Sequence, residues 1–386
     1  MKNWWKKTTD EILHDPVLWV ASVCLIVMHL VTAYFWHSPN FMKAFPDTNG
    51  HAMCHGFFPS CAQTIKFSSD LARGILYSYA FVASSALILI LIPRFRRFAL
   101  GLLLLVTAVK LGLFLSRFNL MGNYHLIQFF LVGALFFLPK KRVSYFLVLA
   151  MFYFLAGTLK LNNEWLSGAA LLVPSIILQG KWLAWALAYV VILELILVWG
   201  LLSKSLPLRI VTLLQLFLFH LFSWHIVGYF YPVMMFLALA PYAMSLWKKY
   251  DREILKEISP VTASVLVAFL IFNSYPFFWG RDPALEGHFR GLRVNMLDAR
   301  PVCYPLVYVQ DPKNSSTYFV ETSQSNAMRT RCDPGSFESQ LRRYCENLNA
   351  DQKLGFILYS RRSTDSEFRI IRNTTDFCQD SYASVF

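Results

Sequence analysis

Apolar residues run in long blocks through the first three quarters of the chain, and polar residues collect in the short gaps between them. A helix needs roughly 20 apolar residues to cross about 30 Å of hydrocarbon. Blocks of this kind predict helical spans at about 16–36, 74–93, 98–116, 123–138, 143–160, 182–202, 207–222, 226–247 and 261–279. Those at 123–138 and 207–222 are short and fit as tilted neighbours of longer helices. The stretch from Leu166 to Gln179 is too brief and too interrupted by polar residues, Gly168 and Pro174 for a span, and it reads as re-entrant or interfacial.

Near Gly280 the pattern changes. Long apolar runs stop, and short segments rich in Val, Tyr, Phe and Thr take over at Pro305–Val309, Thr317–Thr322 and Phe356–Ser360. The turn signal Pro312–Ser316 makes Val302–Val320 a β-hairpin. Apolar and aromatic residues at helical spacing make Phe337–Leu348 a helix. The expected fold class is an all-α polytopic membrane domain over 1–279, with about nine transmembrane helices plus a re-entrant segment. A small disulfide-bonded α+β extracytoplasmic domain follows over 280–386.

Composition agrees. With 56% hydrophobic and only 15% charged residues, the chain has too little polar surface for a soluble protein of this size. Charge sets the orientation. One set of loops holds fifteen basic residues, from Lys2, Lys6 and Lys7 through Arg94, Arg96, Arg97, Lys140, Lys141 and Arg142 to Lys204, Arg209, Lys248, Lys249, Arg252 and Lys256. The opposite short loops hold six: Lys43, Lys66, Arg73, Arg117, Lys160 and Lys181. The N-terminus is therefore expected in the cytoplasm and the C-terminal domain outside. The net charge of +13 then serves membrane anchoring, and nucleic acid is not an expected partner. Met1–Asp15 is too polar to open a cleavable signal peptide. Cys24 lies inside the first span as a core thiol, whereas Cys54, Cys61, Cys303, Cys332, Cys345 and Cys378 all fall on the outer side. They predict up to three disulfides, with only Cys54–Cys61 a local pair and the remaining pairing open. No spacing of His and Cys suits a metal site.

Ionisable residues inside spans are functional candidates. Lys160 closes the apolar run Tyr145–Leu159 within AGTLKLNNEWLSG, beside Asn162, Asn163, Glu164 and Trp165. A lysine near a span end can snorkel to the interface. Kept from water, its amine can instead serve as a base. Lys110 lies mid-span and is expected to form a buried ion pair with Glu194. His29 reads as a hydrogen-bonded core residue. Asn123 and His125 open a span on the Lys160 side, and His220 and His225 flank Ser-Trp at a spacing of five, which puts them on different helical faces.

Together these residues resemble the HTTM membrane domain shared by vitamin K-dependent gamma-glutamyl carboxylases and bacterial relatives. AGTLKLNNEWLSG looks like the family's Ala-Gly-x-x-Lys-Leu-x-x-(Asp/Glu)-Trp-x-x-Gly element. GNYHLIQ resembles its Asn-His start of a span, and FHLFSWHIVGYFYPVMM its segment with a histidine before Ile-Gly-x-Phe. FRGLRVNMLDARPVC resembles the start of its β-rich lumenal domain. The resemblance implies a catalytic group of Lys160 as base, with His125 and Glu164 in support. It also implies a quinone- or substrate-binding group of Asn123, Trp165, His220 and Gly228. The implied cofactor is reduced vitamin K or another lipid quinone, with O2 and CO2 as co-substrates and no metal. The implied partners are the lipid bilayer and a secreted peptide or protein that is carboxylated on glutamyl residues. A bacterial plasma membrane is expected rather than an endoplasmic reticulum membrane. One departure stands out: carboxylases carry a further active-site histidine between the Asn-His span and the lysine span, and here that connection is LFFLPKKRVSY. The alternative is a non-catalytic HTTM scaffold, or an export or maturation partner, that binds a secreted peptide. A transporter would show inverted repeats or a chain of buried acids, and neither is visible.

Overall fold

A computed structural model describes residues 2–38, 68–117, 120, 122–171, 173–247, 258–278, 282–286, 294, 300–311, 313, 316–322 and 331–380. Helices dominate the first part: α1 (Lys2–His14), α2 (Pro16–Trp36), α3 (Ser69–Leu91), α4 (Arg96–Ser116), α5 (Asn123–Phe137), α6 (Lys141–Leu159), α7 (Asn163–Leu166), α8 (Gly180–Leu195), α9 (Leu206–Val227), α10 (Phe230–Trp247) and α11 (Pro260–Phe278). Short segments of 3-10 helix precede α4 and extend α8 to Leu202. Local sequence sets several boundaries. Asp15 accepts hydrogen bonds from the N–H groups of Val17 (2.8 Å) and Leu18 (3.4 Å), with Pro16 at the first helical position of α2. Ser68 caps α3 in the same way at 3.1 Å.

A helix lies at each of the nine apolar blocks, but among the described residues six rather than nine are long and apolar enough to cross a membrane. These are α2, α3, α4 with its preceding turn, α6, α8 with its 3-10 extension, and α9. The apolar stretches of α5, α10 and α11 hold only 10–17 residues, short of the roughly 20 required. The protein is thus a multi-pass membrane protein, with α5, α10 and α11 completing the bundle. Burial separates centre from periphery. In α2 and α6, 61% and 78% of the most apolar window is enclosed, against 28% in α3 and 33% in α9, whose exposed leucines, phenylalanines and tryptophans suit lipid.

The polar stretch before the first span forms the short helix α1. It folds across one end of the bundle, where Trp4 and Trp5 stack on Phe137 and Phe136, and Asp10 pairs with Arg97 at 2.5 Å. At the other end sits the C-terminal domain, an antiparallel sheet of order β2-β1-β3-β4. Its strands are β1 (Pro301–Asp311), β2 (Ser316–Phe319), β3 (Lys353–Arg362) and β4 (Arg369–Thr374). The expected hairpin is present, with Tyr308 opposite Phe319. The expected helix runs over Pro334–Asn347 and packs Phe337 and Leu341 on Val307, Leu354, Phe356 and Leu358. Disulfides join Cys303 to Cys332 and Cys345 to Cys378, both on the helix side of the sheet. Cys24 is a buried free thiol, and the expected Cys54–Cys61 pair lies outside the described residues.

Candidate functional site

Three helices bring one face each to a common space at the C-terminal end of α6. On α6 the residues Tyr153, Ala156, Gly157 and Lys160 recur at helical spacing, as do Leu187, Val190 and Glu194 on α8 and Gln215, Phe219, Phe222 and Ile226 on α9. Gly157 sets how closely α6 and α8 meet: a Cβ there would lie 3.0 Å from the Glu194 Cβ and from the Leu195 side chain. That contact delivers Glu194 to Lys160. The Lys160 Nζ donates to Glu194 Oε2, with the carboxylate fully buried and the lysine side chain only 8% exposed. Nζ also lies 5.1 Å from the Trp165 ring and 5.7 Å from the Phe219 ring. Glu194 Oε1 is buried without a hydrogen-bond partner.

Next to this pair, the Tyr153 hydroxyl and His220 Nε2 are hydrogen-bonded at 2.6 Å, both fully enclosed. His220 is within electrostatic reach of Lys160, and Tyr153 within reach of Glu194 and Tyr231. His220 Nδ1 is a second buried polar atom with no partner. Two hydrogen-bonded acid–base pairs therefore share one polar core, each with one open acceptor or donor position.

That core borders an apolar cavity of about 340 Å³. Lys160 and Trp165 lie on its wall with Asn123, Tyr124, Leu187, Phe219 and Tyr231, and Leu218 and Tyr189 mark its exposed side between α8 and α9. Its size and lining suit one ring system or a length of acyl chain, oriented by very few polar groups.

Several expectations change. Lys110 and Glu194 are not partners. Lys110 Nζ donates instead to Gln128 Oε1 at 2.5 Å and Thr32 Oγ1 at 3.2 Å, among the rings of Trp36, Phe114 and Phe129. Mid-span position on α4 and α8 made the pair plausible, but α8 packs on α6. Glu164 does not assist Lys160 either. Asn162 caps α7 by accepting from the Trp165 N–H at 2.9 Å, so the chain restarts in a new direction after Lys160. Glu164 then faces the C-terminal domain. Its buried carboxylate accepts from Arg362 Nη1 (3.1 Å), Ser363 Oγ (2.6 Å) and the N–H groups of Ser363 (3.0 Å) and Arg300 (3.3 Å). Arg362 also spans to Asp282 at 2.5 and 2.8 Å. The residue read as a catalytic aid is the joint that seats the C-terminal domain.

His125 is packed against Trp36, Phe114, Tyr124 and Phe230 and is not on the cavity wall, although its neighbour Asn123 is. His220 stands behind the wall rather than on it. Gly228 ends α9 with φ +77°, a conformation glycine adopts without a Cβ penalty, and its role is helix termination. His29 is the core histidine expected, held by Tyr79 at 2.5 Å and Thr107 at 3.0 Å. Sequence reading missed Tyr153, although its place seven residues before Lys160 puts both on one helical face. Among the described residues no group of His, Cys, Asp and Glu is arranged to hold a metal ion. No family model, no curated protein and no solved structure matches this chain.

Proposed function

We propose that the protein is a membrane enzyme resembling vitamin K-dependent gamma-carboxylase, in which the Lys160–Glu194 pair takes a proton from a reduced lipid quinone. The observation that carries this reading is the placement of the Lys160 amine on the wall of an apolar cavity, tied to a buried carboxylate that has one oxygen unengaged. A hydroxyl brought to that wall meets a hydrogen-bonded pair able to accept its proton without exposing either group to water. Tyr153 and His220 give a second exchange position beside it, a counterpart to the histidine absent from the α5–α6 connection. Residues present fit a quinone: aromatic and aliphatic walls for the ring, and an open side between α8 and α9 for an apolar tail. Bound there, a hydroquinone would supply the reducing equivalents that make O2 into a base strong enough for carboxylating a glutamyl side chain with CO2. The secreted peptide would be held by the disulfide-bonded, extracytoplasmic C-terminal domain, seated through Glu164, four residues after Lys160. In this reading the N-terminus is cytoplasmic and the membrane a bacterial plasma membrane.

One observation favours a second reading, a non-catalytic scaffold: Glu164, the acid of the Glu-Trp element after the lysine, is used for docking the C-terminal domain. Oxidation of a reduced menaquinone analogue by the protein in nanodiscs separates the two. Catalysis predicts turnover that Lys160→Ala abolishes, that higher pH partly restores, and that Lys160→Arg does not rescue, since a guanidinium stays protonated. A scaffold predicts no turnover in any form.

A further inference from the structure

The irregular segment before α8 carries a second constellation that the Lys160 site does not use. Ser175 Oγ and His225 Nε2 lie 3.0 Å apart. His225 Nδ1 is 2.5 Å from the carbonyl oxygen of Phe222. A carbonyl can only accept, so Nδ1 carries the ring proton and Nε2 presents its lone pair to Ser175. Ser175 Oγ accepts in turn from the N–H groups of Ile177 (3.3 Å) and Leu178 (3.1 Å). Those two bonds occupy its acceptor side and leave its single proton to Nε2. The result is a hydroxyl nucleophile, a base in the correct tautomer and a group that fixes the base, which is the arrangement acyl transfer requires.

Its surroundings name the substrate class. Ile176 and Ile177 beside Ser175 are exposed, and so are Trp182, Trp185 and Trp224 at the same end of the bundle. Exposed tryptophans at helix ends mark the depth of the membrane interface, and the ester groups of glycerolipids lie at that depth. Leu178, Phe222 and Ile226, which flank the pair, line the apolar cavity, so a slot for an acyl chain lies beside Ser175 and His225, which are not themselves on its wall.

We propose that Ser175 and His225 form an acyl-transfer dyad acting on the carboxylic ester of a membrane lipid. Ser175 Oγ bonds to the ester carbon as the carbonyl π bond opens onto oxygen, and the serine proton passes to Nε2. On collapse the ester C–O bond breaks, and Nε2 gives that proton to the departing alcohol oxygen. Water, deprotonated by the same nitrogen, then releases the acyl group as a fatty acid and restores Ser175. As an Oγ lone pair is drawn into the new C–O bond, the hydrogen bonds from the Ile177 and Leu178 N–H groups to Oγ are given up, and these donors turn to the oxyanion that develops in the same step.

The test is labelling of the full chain, in phospholipid nanodiscs, with a long-chain fluorophosphonate, followed by peptide mass mapping. An adduct on Ser175 of the folded wild-type protein is expected, absent in Ser175→Ala. His225→Gln, which can still hydrogen-bond to Ser175 but is no base, should slow labelling by at least about 100-fold. A wild-type protein that carries no adduct on Ser175, or a His225→Gln variant labelled at the wild-type rate, would overturn the proposal and leave Ser175 as a turn residue. Mapping the wild-type protein decides the matter even if a variant misfolds.

Discussion

Removing one member of the Lys160–Glu194 pair strands the other where water does not reach it. Glu194 is fully buried and the Lys160 side chain is 8% exposed, so solvent screening offers little relief. At an effective dielectric constant near 20, two unit charges about 4 Å apart attract by about 4 kcal/mol. Measured losses on breaking buried pairs are about 3–5 kcal/mol. Lys160→Met and Glu194→Gln should therefore each cost about 3–5 kcal/mol. The double variant should cost no more than the worse single one, giving a coupling energy of at least about 3 kcal/mol. Gly157→Val should reproduce much of the loss without touching either charge, because the added methyls meet Glu194 Cβ and Leu195 and force α6 and α8 apart. The assay is reversible unfolding in mixed micelles by SDS titration, with helicity as the signal. Strictly additive single losses would refute the pairing. A Gly157→Val variant as stable as the wild type would refute the claim that close helix approach delivers Glu194 to Lys160.

Other outcomes follow from the same geometry. Glu164→Gln and Arg362→Ala should each loosen the C-terminal domain, seen as faster protease cleavage after residue 278, while the helicity of the bundle is unchanged; cleavage at the wild-type rate would show that the buried carboxylate is not what seats the domain. Lys110→Met should cost only about 1–3 kcal/mol, through the stranded Gln128 Oε1. Adding Gln128→Leu should recover most of this, whereas Glu194→Gln should add its loss independently. In the C-terminal domain, burial pushes the Glu338 carboxyl above its ordinary range, against the lowering effect of Arg372 and Arg342. The folded domain thus binds that proton more tightly than the unfolded chain. Its contribution to stability is present below the unfolded value and fades as pH rises through the folded one. Glu338→Gln should flatten that slope in thermal melts taken from about pH 4 upward.

Most of the helix plan was legible because hydrocarbon imposes it: a helix lies at each apolar block. What local sequence cannot carry is which helices touch. Lys110 and Glu194 matched in depth and opposite charge, yet α8 lies against α6, and the signal for that was a glycine three residues before Lys160 rather than a charge. The resemblance implied a supporting role for Glu164 beside Lys160, but the Asn162 cap redirects the chain between them. The two C-terminal disulfides were expected as cysteines and not as pairs, since pairing depends on the sheet and its helix meeting in space. Tyr153 carried no charge and no motif, so only the helical period connected it to Lys160.

The central claim is that the cavity beside Lys160 receives a lipid quinone, and photo-crosslinking tests it most directly. A menaquinone analogue with a photoreactive ring should, on irradiation in nanodiscs, label peptides containing Lys160 and the cavity-facing stretches of α8 and α9, in competition with unlabelled quinone. Lys160→Ala should shift or abolish those adducts. Labelling confined to the lipid-facing surface of α3 and α4, unaffected by competitor, would contradict the account.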